Sequence, residues 1–351
     1  MDKSLINTVI RQVSEAGRDG GLLDRTTITR LIDIVLENQM PLADFETWLQ
    51  SSANRMPSAE EIVGVVDALR QRMVPLRTSV SGPIVDTCGT GGDGSGTFNI
   101  STATALVVAA AGISVAKHGN RAVSSKTGSA DVLEHFGVVL DIPVEMVAEC
   151  LANVGICFCY APAHHPAMAK VGPVRRRVGK PTVFNLVGPL CNPAPVTVQV
   201  IGVGRPGAEE AVARAAQLAG LQRAVIVSSE DGVDEVGLFA PTRVLDVSSQ
   251  ECRRLRWTPE DFGIETAPES RRNELLVANA AESAACIDNV LSGAFGPARD
   301  VVVINAAAAL WAVGSAAGLP EARVLAEQAI DSGRAKQVLH NLVKFSQQAG
   351  R

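Results

Sequence analysis

Asp86-Thr-Cys-Gly89-Thr-Gly-Gly-Asp93-Gly94-Ser-Gly-Thr97-Phe-Asn99-Ile-Ser101-Thr102 is the stretch from which the architecture can be read. Apolar Ile84-Val85 leads into it, and a helical stretch over 101–111 follows. Five glycines fall between Gly89 and Gly96, and this density between a strand and a helix lets the backbone come close to a ligand. The helix behind the loop aims its free N–H groups and positive dipole end at whatever the loop holds, which makes an anion site. Gly89, Gly91 and Gly94 satisfy G-x-G-x-x-G, yet the dinucleotide reading fails. No acidic residue stands where one would hold a ribose hydroxyl, and the next strand leads to Lys117 instead. Nor does a Gly-Lys-Ser/Thr follow to make a P-loop. Asp93 would repel a bare diphosphate and suits one carried with a metal ion.

Outward from this loop, strand-like and helical runs alternate. A β-rich run at 113–116 is followed by 157–160, 198–203 and 224–228, with helical stretches at 129–136 and 208–219. Such alternation predicts parallel strands joined by crossover helices. Upstream, the first eighty residues read as helices. Ser58-Ala-Glu-Glu61 is a capping box, and Ile62, Val63, Val65, Val66 and Leu69 then form one apolar stripe. The stretches 26–37 and 42–49 repeat the pattern less clearly, and 44–57 is short of apolar regularity. The tail from Asn279 onward is again helical.

Two further segments carry chemistry. Lys117-His-Gly-Asn120-Arg121-Ala-Val-Ser124-Ser125-Lys-Thr-Gly128-Ser129 gathers lysine, arginine and three serine hydroxyls in a strand-to-helix loop, a second phosphate-grade anion site. Asp231-Gly-Val-Asp234-Glu235 follows a strand and offers hard oxygen ligands of the kind Mg²⁺ takes, although acidic turns are common.

Composition bounds the rest. A length of 351 residues suggests two domains, and 46% hydrophobic with 20% charged residues is an ordinary globular balance. Aromatics at 4% leave Val, Ile, Leu and Ala to fill the interior, which favours helices and disfavours an all-β sandwich. A net charge of −5 speaks against sequence-independent nucleic-acid binding. Seven scattered cysteines, with no second pair at zinc spacing beside Cys157 and Cys159, read as reduced thiols. The apolar runs at 103–111 and 301–313 are too short to span a bilayer, and the opening residues lack a signal peptide's apolar stretch. The expectation is a cytoplasmic protein with no membrane and no nucleic-acid partner.

Segments 89–93, 99–102 and 117–125, together with Ser129, Asp131 and Asp234-Glu235, resemble the signature segments of anthranilate phosphoribosyltransferases. So do His165-Pro-Ala-Met168, Pro173-Val-Arg175, Phe184-Asn185, Gly188-Pro-Leu190 and Asn192-Pro-Ala194. The resemblance implies an α/β fold of the nucleoside phosphorylase/phosphoribosyltransferase type. A small all-helical domain (1–80, joined by helices from about 163–182) would pair with a larger α/β domain (81–351) whose mainly parallel sheet is flanked by helices. It implies transfer of the phosphoribosyl group of phosphoribosyl diphosphate to anthranilate in tryptophan biosynthesis, by a Mg²⁺-dependent homodimer. By the same carry-over, Gly89, Gly92, Asp93, Thr97, Asn99, Ile100, Ser101, Thr102, Lys117, His118, Gly119, Asn120, Arg121, Ser124, Ser125 and Ser129 line the substrate site. Ser101, Asp234 and Glu235 bear on Mg²⁺. Arg175 and His165 stand on the anthranilate side and are the candidates for any catalytic role. Transfer to another aromatic amine and a pyrimidine-nucleoside phosphorylase are the alternative activities.

Overall fold

A computed structural model describes residues 3–122 and 126–350. Helices α1 (Lys3–Asp19), α2 (Arg25–Leu36), α3 (Leu42–Ser52) and α4 (Ala59–Arg70) come first. The capping box forms: Glu61 N–H donates to Ser58 Oγ at 3.1 Å, and Ser58 N–H to Glu61 Oε2 at 3.0 Å. The Glu61 carboxylate is buried because Arg55 and the Leu23 N–H also bond it, so it ties α4 to the chain before α2. Helix α3 is longer and better packed than its sequence suggests. Phe45, Trp48, Leu49 and Ser52 recur at helical spacing and all four are buried.

From Ile84 the described chain builds one seven-stranded sheet. Strands β1 (Ile84–Asp86), β2 (Ser114–Gly119), β3 (Ile156–Tyr160), β4 (Val198–Gly202) and β5 (Arg223–Ser229) are parallel. Strands β6 (Thr242–Ser248) and β7 (Cys252–Trp257) add an antiparallel edge, and the order is β3-β2-β1-β4-β5-β6-β7. Helix α5 (Ile100–Ala110) connects β1 to β2, and α6 (Ser129–His135) with α7 (Val144–Val154) connect β2 to β3. After β3 come α8 (Ala161–His164) and α9 (Gly172–Val178), and α10 (Glu209–Leu218) joins β4 to β5. The chain ends in α11 (Ala280–Leu291), α12 (Pro297–Ala312), α13 (Leu319–Asp331) and α14 (Arg334–Ala349). The fold is α/β, with a helical N-terminal region and a mainly parallel sheet.

Side-chain alternation divides the core. Val225 and Val227 of β5 face one apolar cluster with α5 and α12, while Ala224 and Ile226 face a second. That second cluster joins the sheet and α10 to Ile28, Leu31, Val66 and Val174, so the N-terminal helices pack onto the sheet's own core. All seven cysteines are free thiols, with the Cys157 and Cys159 sulfurs 4.0 Å apart. Among the described residues, no helix is long and apolar enough to cross a membrane.

Candidate active site

Strand β1 feeds leftward to β2 and β4 feeds rightward to β5, so their carboxyl ends flank the sheet's topological switch point. Open α/β sheets bind ligands in the crevice that opens there. The glycine loop leaves β1 at this point and is seated on the end of β4. Thr90 N–H donates to the Gly202 carbonyl at 2.8 Å, and Gly204 N–H to Thr90 Oγ1 at 3.1 Å. Gly91 (φ 65°) and Gly92 (φ 80°) take the left-handed conformation, which presents the loop's amides instead of side chains. The loop's far end is pinned by Phe98 N–H to Leu275 O at 2.8 Å and Val277 N–H to Gly96 O at 3.0 Å.

The turn after β5 closes the crevice by a reciprocal clasp. Gly91 N–H donates to Asp234 Oδ2 at 2.8 Å, and Asp234 N–H to Asp93 Oδ2 at 3.4 Å. Lys117, at the end of β2, donates to Ser101 Oγ at 3.2 Å and lies close enough to favour the charged form of Glu235. Asp93, Ser101, Lys117, Asp234 and Glu235 thus meet although the sequence separates them by up to 142 positions (93 to 235). Desolvation holds the Asp234 and Glu235 carboxyls well above the usual carboxylate range, and their mutual repulsion and Asp93 add to it. The cluster is short of positive charge. Among the described residues, no three acidic, His or Cys side chains form a ready-made cage. Mg²⁺ seldom uses one, taking one or two carboxylates with phosphate oxygens and water, so the residues present fit it. Asp86, buried at the end of β1, is pushed up to about 6 by desolvation and is held by Asn192 Nδ2 at 2.8 Å.

The remaining candidates fall into three groups. Thr97 and Asn99 belong to the glycine loop, Ile100 and Thr102 are buried in the first turn of α5, and Gly119, Asn120 and Ser129 form the mouth of the second loop. Ser129 Oγ and Ala130 N–H both turn to the Asn120 carbonyl, at 3.5 and 3.2 Å. Arg121 departs from the cluster: its exposed guanidinium is bonded to Glu134 and Asp131 on α6. Ser124 and Ser125 lie outside the described residues. On the helical side, Arg175 lies over the Phe184 ring at 5.5 Å. Among the described residues it has no carboxylate at ion-pair distance, and burial lowers its pKa.

The His118 and His165 rings pack against each other, tilted by 58° with centroids 5.4 Å apart. His118 Nδ1 donates to the Gly188 carbonyl at 3.0 Å, and His165 Nε2 to Cys191 O at 2.7 Å. A carbonyl can only accept, so the other nitrogen of each ring is bare. Both bare nitrogens are buried without a partner among the described residues. Burial first, then the neighbouring His165, lowers His118 to about 3. An unfolded histidine takes a proton near pH 6.5, so this stabilisation is complete above that pH and lost as pH falls toward 3. Stability is expected to drop by about 2 kcal/mol from this ring between pH 7.5 and 5, about 1.4 kcal/mol per unit once the unfolded ring is charged. His118→Asn should flatten the slope in chemical denaturation, and an unchanged slope would remove this ring from the account.

A profile described as "Glycosyl transferase family, a/b domain" matches residues 81–336. An anthranilate phosphoribosyltransferase of Thermomicrobium roseum is 44% identical over 345 residues, 97% of each chain. The chain belongs to the anthranilate phosphoribosyltransferase family. The crystal structure of the family member from Thermus thermophilus has a TM-score of 0.88 at 36% identity, covering 95% of this chain and 99% of that one. The Saccharomyces cerevisiae family member, solved in complex with PRPP and Mg, shares the fold with a TM-score of 0.86 at 24% identity over 99% of both chains.

Three residues that support the family's signature loops escaped the sequence reading. Gly202 takes the Asp234 backbone against its own Cα. Asn305, midway along apolar α12, accepts from Val236 N–H at 2.9 Å and donates to Val236 O at 3.0 Å, fixing the peptide next to Glu235. Ser283 of α11 bonds Asn99. A lone polar residue or strand-end glycine carries no local signal of a partner so far along the chain.

Proposed function

We propose that the protein transfers the phosphoribosyl group of phosphoribosyl diphosphate to the amine of anthranilate, giving N-(5-phosphoribosyl)anthranilate and pyrophosphate, in tryptophan biosynthesis. The observation that carries this reading is the pairing of two buried, mutually repelling carboxylates, Asp234 and Glu235, with a glycine loop whose Gly91 N–H bonds Asp234. Such a site suits a diphosphate arriving with a divalent cation and would repel a bare anion. The 44% identity to the Thermomicrobium roseum enzyme supports the same activity.

Displacing pyrophosphate builds positive charge on the ribose ring and negative charge on the leaving group. The protein's part is positioning and leaving-group stabilisation. Gly89, Gly92, Asp93, Thr97, Asn99, Ile100, Ser101, Thr102, Lys117, Gly119 and Ser129 form the donor's cradle, and Ser124 and Ser125 join them by family likeness. Ser101, Asp234 and Glu235 would hold Mg²⁺, which supplies neutralising charge to the diphosphate. Arg175, a cation without a carboxylate partner among the described residues, offers its fork to the anthranilate carboxylate. The bare nitrogens of His118 and His165 serve as hydrogen-bond acceptors for the arylamine. His118, held at about 3, is too weak a base to take a proton at neutral pH, and the neutral amine needs none removed before attack. Asn120 stands at the acceptor's edge, and Arg121, engaged by Glu134 and Asp131, is left out of the acceptor's contacts.

The proposal extends to organisation. Residues 1–80 with 163–182 form the smaller unit and 81–351 the larger, which accords with Val171 and Val174 sharing a cluster with the N-terminal helices. The protein acts as a cytoplasmic homodimer.

Purified protein mixed with anthranilate, phosphoribosyl diphosphate and Mg²⁺ is expected to consume anthranilate fluorescence and release pyrophosphate, both abolished by EDTA. Binding of phosphoribosyl diphosphate without any loss of fluorescence would keep the donor site and reject anthranilate as acceptor. Phosphorolysis of thymidine or uridine instead would favour the nucleoside phosphorylase reading.

A further inference from the structure

Asn99 occupies the N-cap position of α5, where an asparagine ordinarily turns its side chain back to bond the helix's own first-turn N–H groups. Here it makes no such bond. Its Oδ1 is drawn away by two hydroxyls, Ser283 Oγ at 2.8 Å and Thr127 Oγ1 at 3.2 Å. Ser283 is fully buried on α11 and also accepts from the Asn99 backbone N–H at 3.0 Å. A serine hydroxyl has one proton, and with the Asn99 N–H arriving as a donor, that proton goes to Oδ1. Both hydroxyls thus hold Oδ1, which leaves Nδ2 as a donor with no protein partner among the described residues.

We propose that Ser283 is a positioning residue for phosphoribosyl diphosphate: it holds Asn99 off its own helix, so that Nδ2 stays open to the anionic donor substrate. The inference rests on the function proposed above. Without the Ser283 hydroxyl, Asn99 has a competing place to go. Its Oδ1 can fall back onto the first turn of α5, which turns a ligand donor into a helix cap.

The test is a double-mutant cycle read by calorimetric titration with phosphoribosyl diphosphate and Mg²⁺, without anthranilate. Ser283→Ala is expected to raise the dissociation constant about tenfold, the scale of one hydrogen bond, and to leave the KM for anthranilate unchanged. Asn99→Ala should weaken binding on its own. The double variant should bind no more weakly than Asn99→Ala, because Ser283 acts only through Asn99. Ser283→Thr keeps the hydroxyl and should bind within a few-fold of the wild type, which provides the reading if the alanine variant fails to fold. Unchanged affinity in Ser283→Ala, additive losses in the double variant, or a threonine variant that folds yet binds as weakly as Asn99→Ala would each overturn the role. A wild-type protein that does not bind phosphoribosyl diphosphate would instead overturn the underlying function.

Discussion

Asp234→Asn should lower turnover by about 10²–10³-fold, the scale of losing one preorganised electrostatic group, while leaving the unliganded protein no less stable. The two halves of this expectation have one cause. Asp234 sits against Asp93 and Glu235 in surroundings that disfavour its charge, so the empty site carries unrelieved repulsion. Asparagine preserves the shape, can still accept from Gly91 N–H through its amide oxygen, and removes one negative charge. The folded state loses a penalty, while the site loses a ligand for the cation that accompanies the diphosphate. Steady-state rates across a Mg²⁺ series and thermal unfolding of the metal-free protein separate the two effects. The half-saturating Mg²⁺ concentration should rise and the unfolding midpoint should hold or increase. A variant with wild-type Mg²⁺ dependence would take Asp234 out of metal binding. One that is both inactive and much less stable would make it a structural residue.

Legibility in the sequence followed the range of the interaction. The capping box Ser58–Glu61 needs only residues three apart and forms as read. The parallel strands are legible because buried strands read as short, nearly continuous apolar runs: four agree within a residue, while the run at 113–116 stops three residues before β2 ends at Gly119, where Lys117 and His118 break the apolar pattern. The antiparallel edge was missed for the opposite reason. Thr242–Ser248 carries Arg243 and Asp246, and Cys252–Trp257 places Arg253, Arg254 and Arg256 on both faces, where they pair with Asp246, Glu210 and Glu230. Charges of this kind protect an edge strand from aggregation and also erase its hydrophobic period. Likewise α3 looked irregular because Trp48 and Ser52 interrupt an aliphatic pattern that the fold completes with Phe45 and Leu49. The site's loops could be read because phosphate-grade turns spend several glycines and hydroxyls in one place. Its supports could not. Ser283 and Asn305 each reach a partner more than sixty positions away, which no local pattern records.

The severest expected effect belongs to Gly202, an inconspicuous glycine at the end of β4. A Cβ there would lie 1.6 Å from the Asp234 carbonyl oxygen, 2.5 Å from its carbonyl carbon and 3.2 Å from its Cβ. Real Cβ atoms do not approach backbone this closely, and neither partner is a flexible side-chain end. Gly202→Ala must therefore push the 234–235 turn out of the crevice or break the edge of β4. Both routes also strain the Thr90 N–H···Gly202 O bond that seats the glycine loop. Overpacking of a closed contact costs about 1–3 kcal/mol, so a midpoint lowered by several degrees is expected. The functional loss should be larger, because displacing catalytic groups by about 1 Å can cost on the order of 10²-fold in rate. Gly318→Ala is the control: its new Cβ would meet only Pro320 Cδ at an ordinary 3.7 Å, and it should leave activity intact. If Gly202→Ala keeps near-normal turnover, the 234–235 turn has slack that this packing does not show, and the clasp between Asp93, Gly91 and Asp234 would not be what holds the carboxylates in place. If turnover collapses and the variant remains folded, the end of β4 is as much a part of the site as the loops that carry its signature.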